Sequence, residues 1–156
     1  MSIIYVDGAC NKVTSEESWG SAVNEEGEDI IISQDHTDLN IRSVTLPVGI
    51  RNVIICKFND VKSQQNNGSE LTALVVGLRI AMKNPNVKIV YSDSSLMVDW
   101  WSKGHVNKKT LKTMDKLKYQ YILECTSLRS DFEKRGGQVL KIAGKDNLAD
   151  LGYHIG

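Results

Sequence analysis

Short apolar runs separated by polar turns recur along the chain and predict the strands of a sheet. The runs at 3–6 and 19–24 predict a hairpin that is joined by the polar loop at 11–18. A long segment at about 25–60 extends the connection to the third strand; apolar runs at 30–32 and 53–58 look like strands, and 33–52 is irregular. In the predicted order β-β-β-α-β-α-β-α, the segment at about 25–60 supplies one strand. The runs at 87–92 and 139–142 then complete a mixed sheet of five strands.

Apolar residues at helical spacing predict the helices. From Glu70 onward, residues three or four apart are apolar until Asn84-Pro85-Asn86 ends the pattern. A short helix is predicted at 96–101, one long helix over 111–132, and a final short helix from about Asn147. Strands alternating with helices predict an α/β fold with helices on both faces of the sheet, in a single domain over 1–156.

Composition narrows the class of protein. The chain of 156 residues has a formal net charge of zero, so no global basic field attracts nucleic acid, and any polyanion site must be a local patch. Its three cysteines have no metal-binding or redox spacing. Without a signal peptide or a long apolar run, we expect a reducing, cytoplasmic location and no membrane partner.

Four acidic residues lie where predicted elements begin or end: Asp7, Glu70, Asp93 and Asp150. Any one of them alone is explained by a turn or a helix cap. Asp7 and Asp93 follow predicted strands, and carboxyl ends of neighbouring strands meet at one edge of such a sheet. Together the four predict a site for hard divalent cations, which prefer oxygen ligands.

The motifs around these acids resemble those of the ribonuclease H type 1 family, which includes domains of reverse transcriptases. They follow the family's order and span nearly the whole chain: Tyr5-Val6-Asp7-Gly8-Ala9-Cys10, Trp19-Gly20, Asn66-Asn67-Gly68-Ser69-Glu70, Tyr91-Ser92-Asp93-Ser94 and Asn147-Leu148-Ala149-Asp150.

The resemblance implies a role for each motif residue. Two Mg²⁺ ions, with Mn²⁺ as a possible substitute, would be bridged by Asp7. Asp150 would help hold the ion that activates water, and Glu70 and Asp93 the ion near the leaving 3′ oxygen. The resemblance also implies substrate contacts. Asn66 and Asn67 would sense the 2′-hydroxyls of RNA. The other residues expected at the substrate are Gly8, Ala9, Cys10 and Ser94.

The last motif departs from the family. The loop at 142–146 lacks the histidine that the family often carries, and Asn147 precedes Asp150 by three residues where four is more common. Lys145 and His154 are possible auxiliary residues. A helix would place His154 on the same face as Asp150, whereas the alternative is a surface histidine near a frayed terminus.

A basic stretch and a tryptophan pair are further candidates. Lysines concentrate at 103–118, where Lys108 and Lys109 are predicted to contact phosphates; ordinary solvated surface is the alternative. Trp100 and Trp101 are expected in the core, the alternative being one buried ring and one offered to substrate.

We therefore expect an endonuclease that hydrolyses the RNA strand of an RNA–DNA hybrid, leaving 5′-phosphate and 3′-hydroxyl ends. The chain would act as a monomer or as a domain of a larger replication or reverse-transcription protein. Two rivals stay open: a DNA-directed nuclease of the same fold, transposase-like or junction-resolving, and a non-catalytic nucleic-acid-binding module.

Overall fold

A mixed six-stranded sheet forms the centre of the protein. The computed structural model describes residues 1–10, 17–60 and 65–152. The strands are β1 (Ile3–Cys10), β2 (Ser18–Asn24), β3 (Ile41–Leu46), β4 (Gly49–Cys56), β5 (Ile89–Ser92) and β6 (Gln138–Lys141). Their order is β3-β4-β2-β1-β5-β6, with β5 parallel to both β1 and β6 and the other pairs antiparallel. β1 therefore lies inside the sheet.

Four α-helices follow the first four strands: α1 (Gln65–Lys83), α2 (Ser95–Asp99), α3 (Lys108–Thr113) and α4 (Lys116–Lys134). α1 packs across β1, β2 and β4, and α4 packs on α1. Gly77 lets α1 approach the sheet, because a Cβ there would lie 2.6 Å from a methyl of Val6. Arg79 of α1 joins α4 through Glu124 at 2.5 Å and also binds Asp38.

The two faces of the sheet carry separate apolar clusters. The larger one contains the apolar face of α1 with Ile4, Val6, Ala22 and Ile54. The smaller cluster lies on the other face of the sheet. It contains the strand residues Ala9, Leu46 and Val53, together with Leu151 from the turn after β6. Since Leu151 is fully buried there, the segment that carries Asp150 is fastened to this second face.

Several predicted elements differ in the structure. The run at 30–32 is not a strand; Asp29 forms one isolated bridge with Val23, and its carboxylate binds the backbone N–H groups of Ile31 and Asn52. The stretch at 33–52, predicted to be irregular, contains β3 and the start of β4. The sheet thus has six strands instead of five because β3 pairs along the edge of β4.

The helix predicted over 111–132 is two helices. Met114 is extended, with ψ of 139°, and Asp115 caps α4 by accepting from the N–H of Leu117. The helix predicted from Asn147 is also wrong for residues 147–152. There the Asn147 side chain accepts from the N–H of Ala149, and Gly152 has a φ of +78°, so the chain forms a turn.

Candidate active site

Strand register places Asp7 and Asp93 side by side. Val6 of β1 pairs with Ser92 of β5 in parallel, and this pair is the last of the ladder. Asp7 directly follows Val6, and Asp93 directly follows Ser92. The prediction that the two acids lie together is confirmed. Asp7 does not end its strand, however, because β1 continues to Cys10.

A close approach of α1 to β1 adds Glu70. A Cβ on Gly8 would lie 2.5 Å from both the backbone nitrogen of Glu70 and the hydroxyl of Ser69. Any larger residue would force the first turns of α1 away from the strand. The glycine after Asp7 thus allows Glu70 to reach Asp7 and Asp93.

Asp7, Glu70 and Asp93 form one cluster of carboxylates, in which one oxygen from each lies within 4.8 Å of the others. Asp7 is buried and the other two are half-buried. Ligand oxygens around a single Mg²⁺ lie at most about 4.2 Å apart at its usual bond length, so small side-chain adjustments suit the cluster to this ion. An all-oxygen donor set of this kind fits Mg²⁺ or Mn²⁺.

Two asparagines support the cluster. The Asn66 side chain donates to Oε1 of Glu70 at 3.3 Å. The Asn147 side chain, only 4% exposed, donates to Oδ2 of Asp93 at 3.1 Å and to the carbonyl oxygen of Val6 at 2.9 Å. Such hydrogen bonds orient a carboxylate before it binds an ion. The sequence placed both asparagines in motifs but gave no sign of these contacts.

The fourth predicted ligand, Asp150, falls outside this three-residue cluster. Its Oδ1 accepts from the N–H of Gly152 at 2.9 Å, and the residue is half-buried. The carbonyl of Leu148, two residues earlier, accepts from the guanidinium of Arg51 at 3.3 Å. The assignment of Asp150 as a metal ligand stays a prediction.

The model of the RNase H family matches residues 1–133. The chain belongs to the RNase H family. The match contains the three clustered acids, and Asp150 lies beyond it.

Several solved RNase H structures are similar to this chain. An RNase H1 from the halophilic archaeon Halobacterium salinarum NRC-1 is 13% identical, with a TM-score of 0.50 over 94% of this chain and 89% of that one. An N-terminal RNase H domain from Mycobacterium tuberculosis is 13% identical, with a TM-score of 0.47 over 94% and 90%. The RNase H domain of prototype foamy virus is 15% identical, with a TM-score of 0.47 over 97% and 84%. A search of curated proteins found no significant match.

The residues predicted at the RNase H substrate lie around the cluster. Gly8 and Ala9 are buried in β1, which ends at Cys10. Ser94 is buried and caps α2 by accepting from the N–H of Met97 at 3.2 Å, so its hydroxyl has a structural partner. Asn66 and Asn67 are in the first turn of α1, not in a loop before it.

A groove of about 580 Å³ begins at Asn67. Trp100, His105 and Thr110 are among its lining residues. Trp100 is 57% exposed and Trp101 only 3%, so the expectation of two core tryptophans is wrong. One ring is buried and one is exposed, and contact of the exposed ring with substrate stays a prediction. The exposed ring is available for stacking or sugar contacts.

The lysine-rich stretch divides into exposed and buried residues. Lys108 and Lys109 are exposed at the start of α3, which Asn107 caps. Lys118 was predicted to belong to the same basic surface, and this is wrong. It is 0% exposed and forms a salt bridge with the buried carboxylate of Asp60.

The two auxiliary candidates differ in what the structure describes. Lys145 is exposed in the short 3-10 turn Gly144–Asp146. His154 lies outside the described residues, so its place near Asp150 stays a prediction. Among the described helices, none combines the length and apolar character needed to cross a membrane.

Proposed function

We propose that this protein hydrolyses the RNA strand of RNA–DNA hybrids with two divalent ions, Mg²⁺ or in its place Mn²⁺, leaving 5′-phosphate and 3′-hydroxyl ends. The observation that carries the proposal is the cluster of Asp7, Glu70 and Asp93 in a chain of the RNase H family. Membership supplies the reaction class, and the cluster supplies the ligands that this reaction requires.

When bound, the ions would supply the positive charge that activates water and stabilises the leaving oxygen. Asp7 would contact both ions, with Glu70 and Asp93 beside it and Asp150 as the fourth ligand. Asn66 and Asn147 keep the Glu70 and Asp93 carboxylates oriented, since each donates to one carboxylate oxygen. Without ions, three carboxylates this close repel one another, which favours cation capture.

The hybrid would lie along the edge that carries the acids. Asn66 and Asn67, one turn before Glu70, would read 2′-hydroxyls, which distinguish RNA from DNA. The groove at Trp100 would receive the backbone beyond them, and Lys108 and Lys109 would contact phosphates. Because these contacts avoid base edges, we expect little sequence preference.

A cleavage assay on three substrates tests the proposal. Labelled hybrid, double-stranded RNA and duplex DNA are each incubated with Mg²⁺, Mn²⁺ or chelator. Cleavage confined to the RNA strand of the hybrid, and abolished by chelator, is expected. Preferential cutting of duplex DNA would indicate a DNA-directed nuclease, and hybrid binding without turnover would indicate a binding module.

The matched variant is Asp7→Asn, which keeps the shape of the buried side chain. We expect at least about a 100-fold loss of cleavage, since losing a shared ligand removes several kcal/mol of transition-state stabilisation. The circular dichroism spectrum should not change. Near-normal cleavage by this variant would exclude the site.

A further inference from the structure

Arg51 of β4 is a buried cation close to the acidic cluster. It is 8% exposed, and its guanidinium donates to Ser21 Oγ at 3.4 Å, the Gly27 carbonyl at 3.5 Å and the Leu148 carbonyl at 3.3 Å. Within the described ranges, no carboxylate lies within 4.0 Å of it as an ion-pair partner. A buried charge that binds mainly carbonyls needs a reason to be there.

Its position on the sheet links it to the site. Ser21 is the direct cross-strand partner of Asp7, so the two side chains share one face of the sheet. Because the Ser21 hydroxyl accepts from Arg51, the guanidinium belongs to the same face. Leu151 packs on that face as well, next to Val53 of β4.

Arg51 stays protonated although it is buried, because a guanidinium does not lose its proton in proteins. Burial lowers the pKa of the guanidinium, while the negative charges of Asp29 and Asp150 oppose that shift. Asp150 is therefore near enough to act on Arg51 electrostatically, although it is no ion-pair partner. A guanidinium is suited to the site because its fixed fork can serve several carbonyls at once.

We propose that Arg51 is a positioning residue for Asp150: by holding the Leu148 carbonyl, it fixes the last turn so that the Asp150 carboxylate can join the ions at the cluster. This inference rests on the proposed function, in which Asp150 is the fourth ligand. Arg51 acts on the backbone of the turn, through the Leu148 carbonyl two residues before Asp150.

The turn is held at both sides of Asp150. Asn147 fastens its start to Val6 and Asp93, and Leu151 is buried just after it. Between those anchors Arg51 holds the Leu148 carbonyl, and its Nη2 also donates to the carbonyl of Gly27 in the turn after β2. Losing Arg51 would release the Leu148 carbonyl, two residues before Asp150.

A double-mutant cycle tests the inference. Arg51→Met removes the charge and the donors but keeps an unbranched apolar chain, and Asp150→Asn removes the proposed ligand. Mn²⁺ binding to metal-free protein is measured by calorimetry for both single variants, the double variant and the wild type. The Mg²⁺ concentration that gives half-maximal cleavage, kcat and KM for the hybrid are measured alongside.

We expect Arg51→Met to weaken Mn²⁺ binding and raise the half-maximal Mg²⁺ concentration by about tenfold, the usual effect of losing a residue that orients a ligand. The hybrid KM should change less than about twofold. In the Asp150→Asn background, Arg51→Met should have almost no further effect. Arg51→Lys should recover part of the binding, since one ammonium cannot serve all three acceptors.

The control is Arg42→Met, which removes an arginine from the adjoining strand β3 that is 52% exposed and 3.8 Å from Glu17. It should leave Mn²⁺ binding unchanged. Equal losses from Arg51→Met in the wild-type and Asp150→Asn backgrounds would overturn the inference, because a general packing role acts whether or not Asp150 is a ligand. If Arg51→Met does not fold, Arg51→Lys takes its place in the cycle.

The readouts separate this inference from the proposed function. Wild-type protein that binds Mn²⁺ but does not cut hybrid would contradict the proposed function, and the binding cycle would still decide the role of Arg51. Wild-type protein that binds no Mn²⁺ would contradict both.

Discussion

Asn147 donates its side-chain amide to Oδ2 of Asp93 at 3.1 Å, across 54 positions of sequence. The same nitrogen donates to the carbonyl of Val6, the residue before Asp7. One buried amide therefore joins the middle of β1, the residue after β5 and the turn that carries Asp150.

Asn147→Ala should therefore weaken both stability and catalysis. The variant leaves the buried Val6 carbonyl without this donor, which costs about 1–3 kcal/mol in the free energy of unfolding. Asp93 also loses its orientation, so we expect kcat to fall about 10- to 100-fold. Urea unfolding in chelator and cleavage at saturating Mg²⁺ measure the two effects. Asn86→Ala, at an exposed loop position, is the control and should change stability by less than about 0.5 kcal/mol.

Lys108→Ala combined with Lys109→Ala should weaken hybrid binding with little effect on kcat. If each lysine contacts a phosphate, the slope of log K against log salt should become shallower by about one per lysine. Binding to the catalytically inactive Asp7→Asn protein, titrated at several salt concentrations, gives this slope. The pair Lys83→Ala and Lys88→Ala, exposed near the far end of α1, is the matched control. An equal loss in both pairs would mean that net charge, not position, determines binding.

Lys118→Met should be strongly destabilising. Its ammonium lies 2.5 Å from Oδ2 of Asp60, and both side chains are at most 1% exposed. Removing one partner leaves a buried charge uncompensated, at a cost of about 3–5 kcal/mol. Denaturant unfolding of Lys118→Met, and of the double variant with Asp60→Leu, measures this cost. The double variant should be more stable than Lys118→Met; equal stabilities would show that the pairing is not what the lysine supplies.

The protein should become less stable as the pH falls below neutrality, because His36 is buried in its neutral form. This imidazole is 2% exposed, and its pKa is lowered mainly by burial and in addition by the positive charge of the neighbouring Arg79. Between that lowered pKa and the ordinary value near 6.5, the unfolded chain binds more protons than the folded one. The stabilisation is therefore complete above pH 6.5 and is lost as the pH falls through this window, by at most about 1.4 kcal/mol per pH unit.

Unfolding free energies measured from pH 8 to pH 5 in chelator test this sign. His36→Gln should flatten the slope, whereas His105→Gln, at an exposed histidine, should not. A wild-type protein that gains stability as the pH falls from 7 to 5.5 would contradict the expectation.

Local pattern was enough to predict β1, β2, β5, β6 and the apolar face of α1. It also identified Asp7, Glu70 and Asp93, although Asp7 lies inside β1 and Glu70 is in the second turn of α1, so that only Asp93 directly follows its strand. The family resemblance was confirmed over residues 1–133. Features set by a single stretch of chain were thus accessible to sequence.

Features set by distant partners were not accessible. Lys118 belongs to a lysine-rich stretch, and only its pairing with Asp60, 58 positions away, explains its burial. The break at Met114 depends on Asp115, which caps α4 and also accepts from the N–H of Asn59. Arg51 gave no signal because it belongs to the stretch at 33–52 that the pattern predicted to be irregular, and because its three acceptors come from three separate segments.

The hydrogen bond between Val6 and Asn147 joins positions that are 141 residues apart, and Val6 lies in the interior strand β1. Contacts between such distant residues form late in folding, because the chain loses the entropy of closing the long loop before the contact can stabilise it. During synthesis, Asp93 would therefore lack its orienting amide until residue 147 had left the ribosome. Until residue 147 is in place, a nascent chain would hold the Asp93 carboxylate in a looser arrangement than the folded protein does.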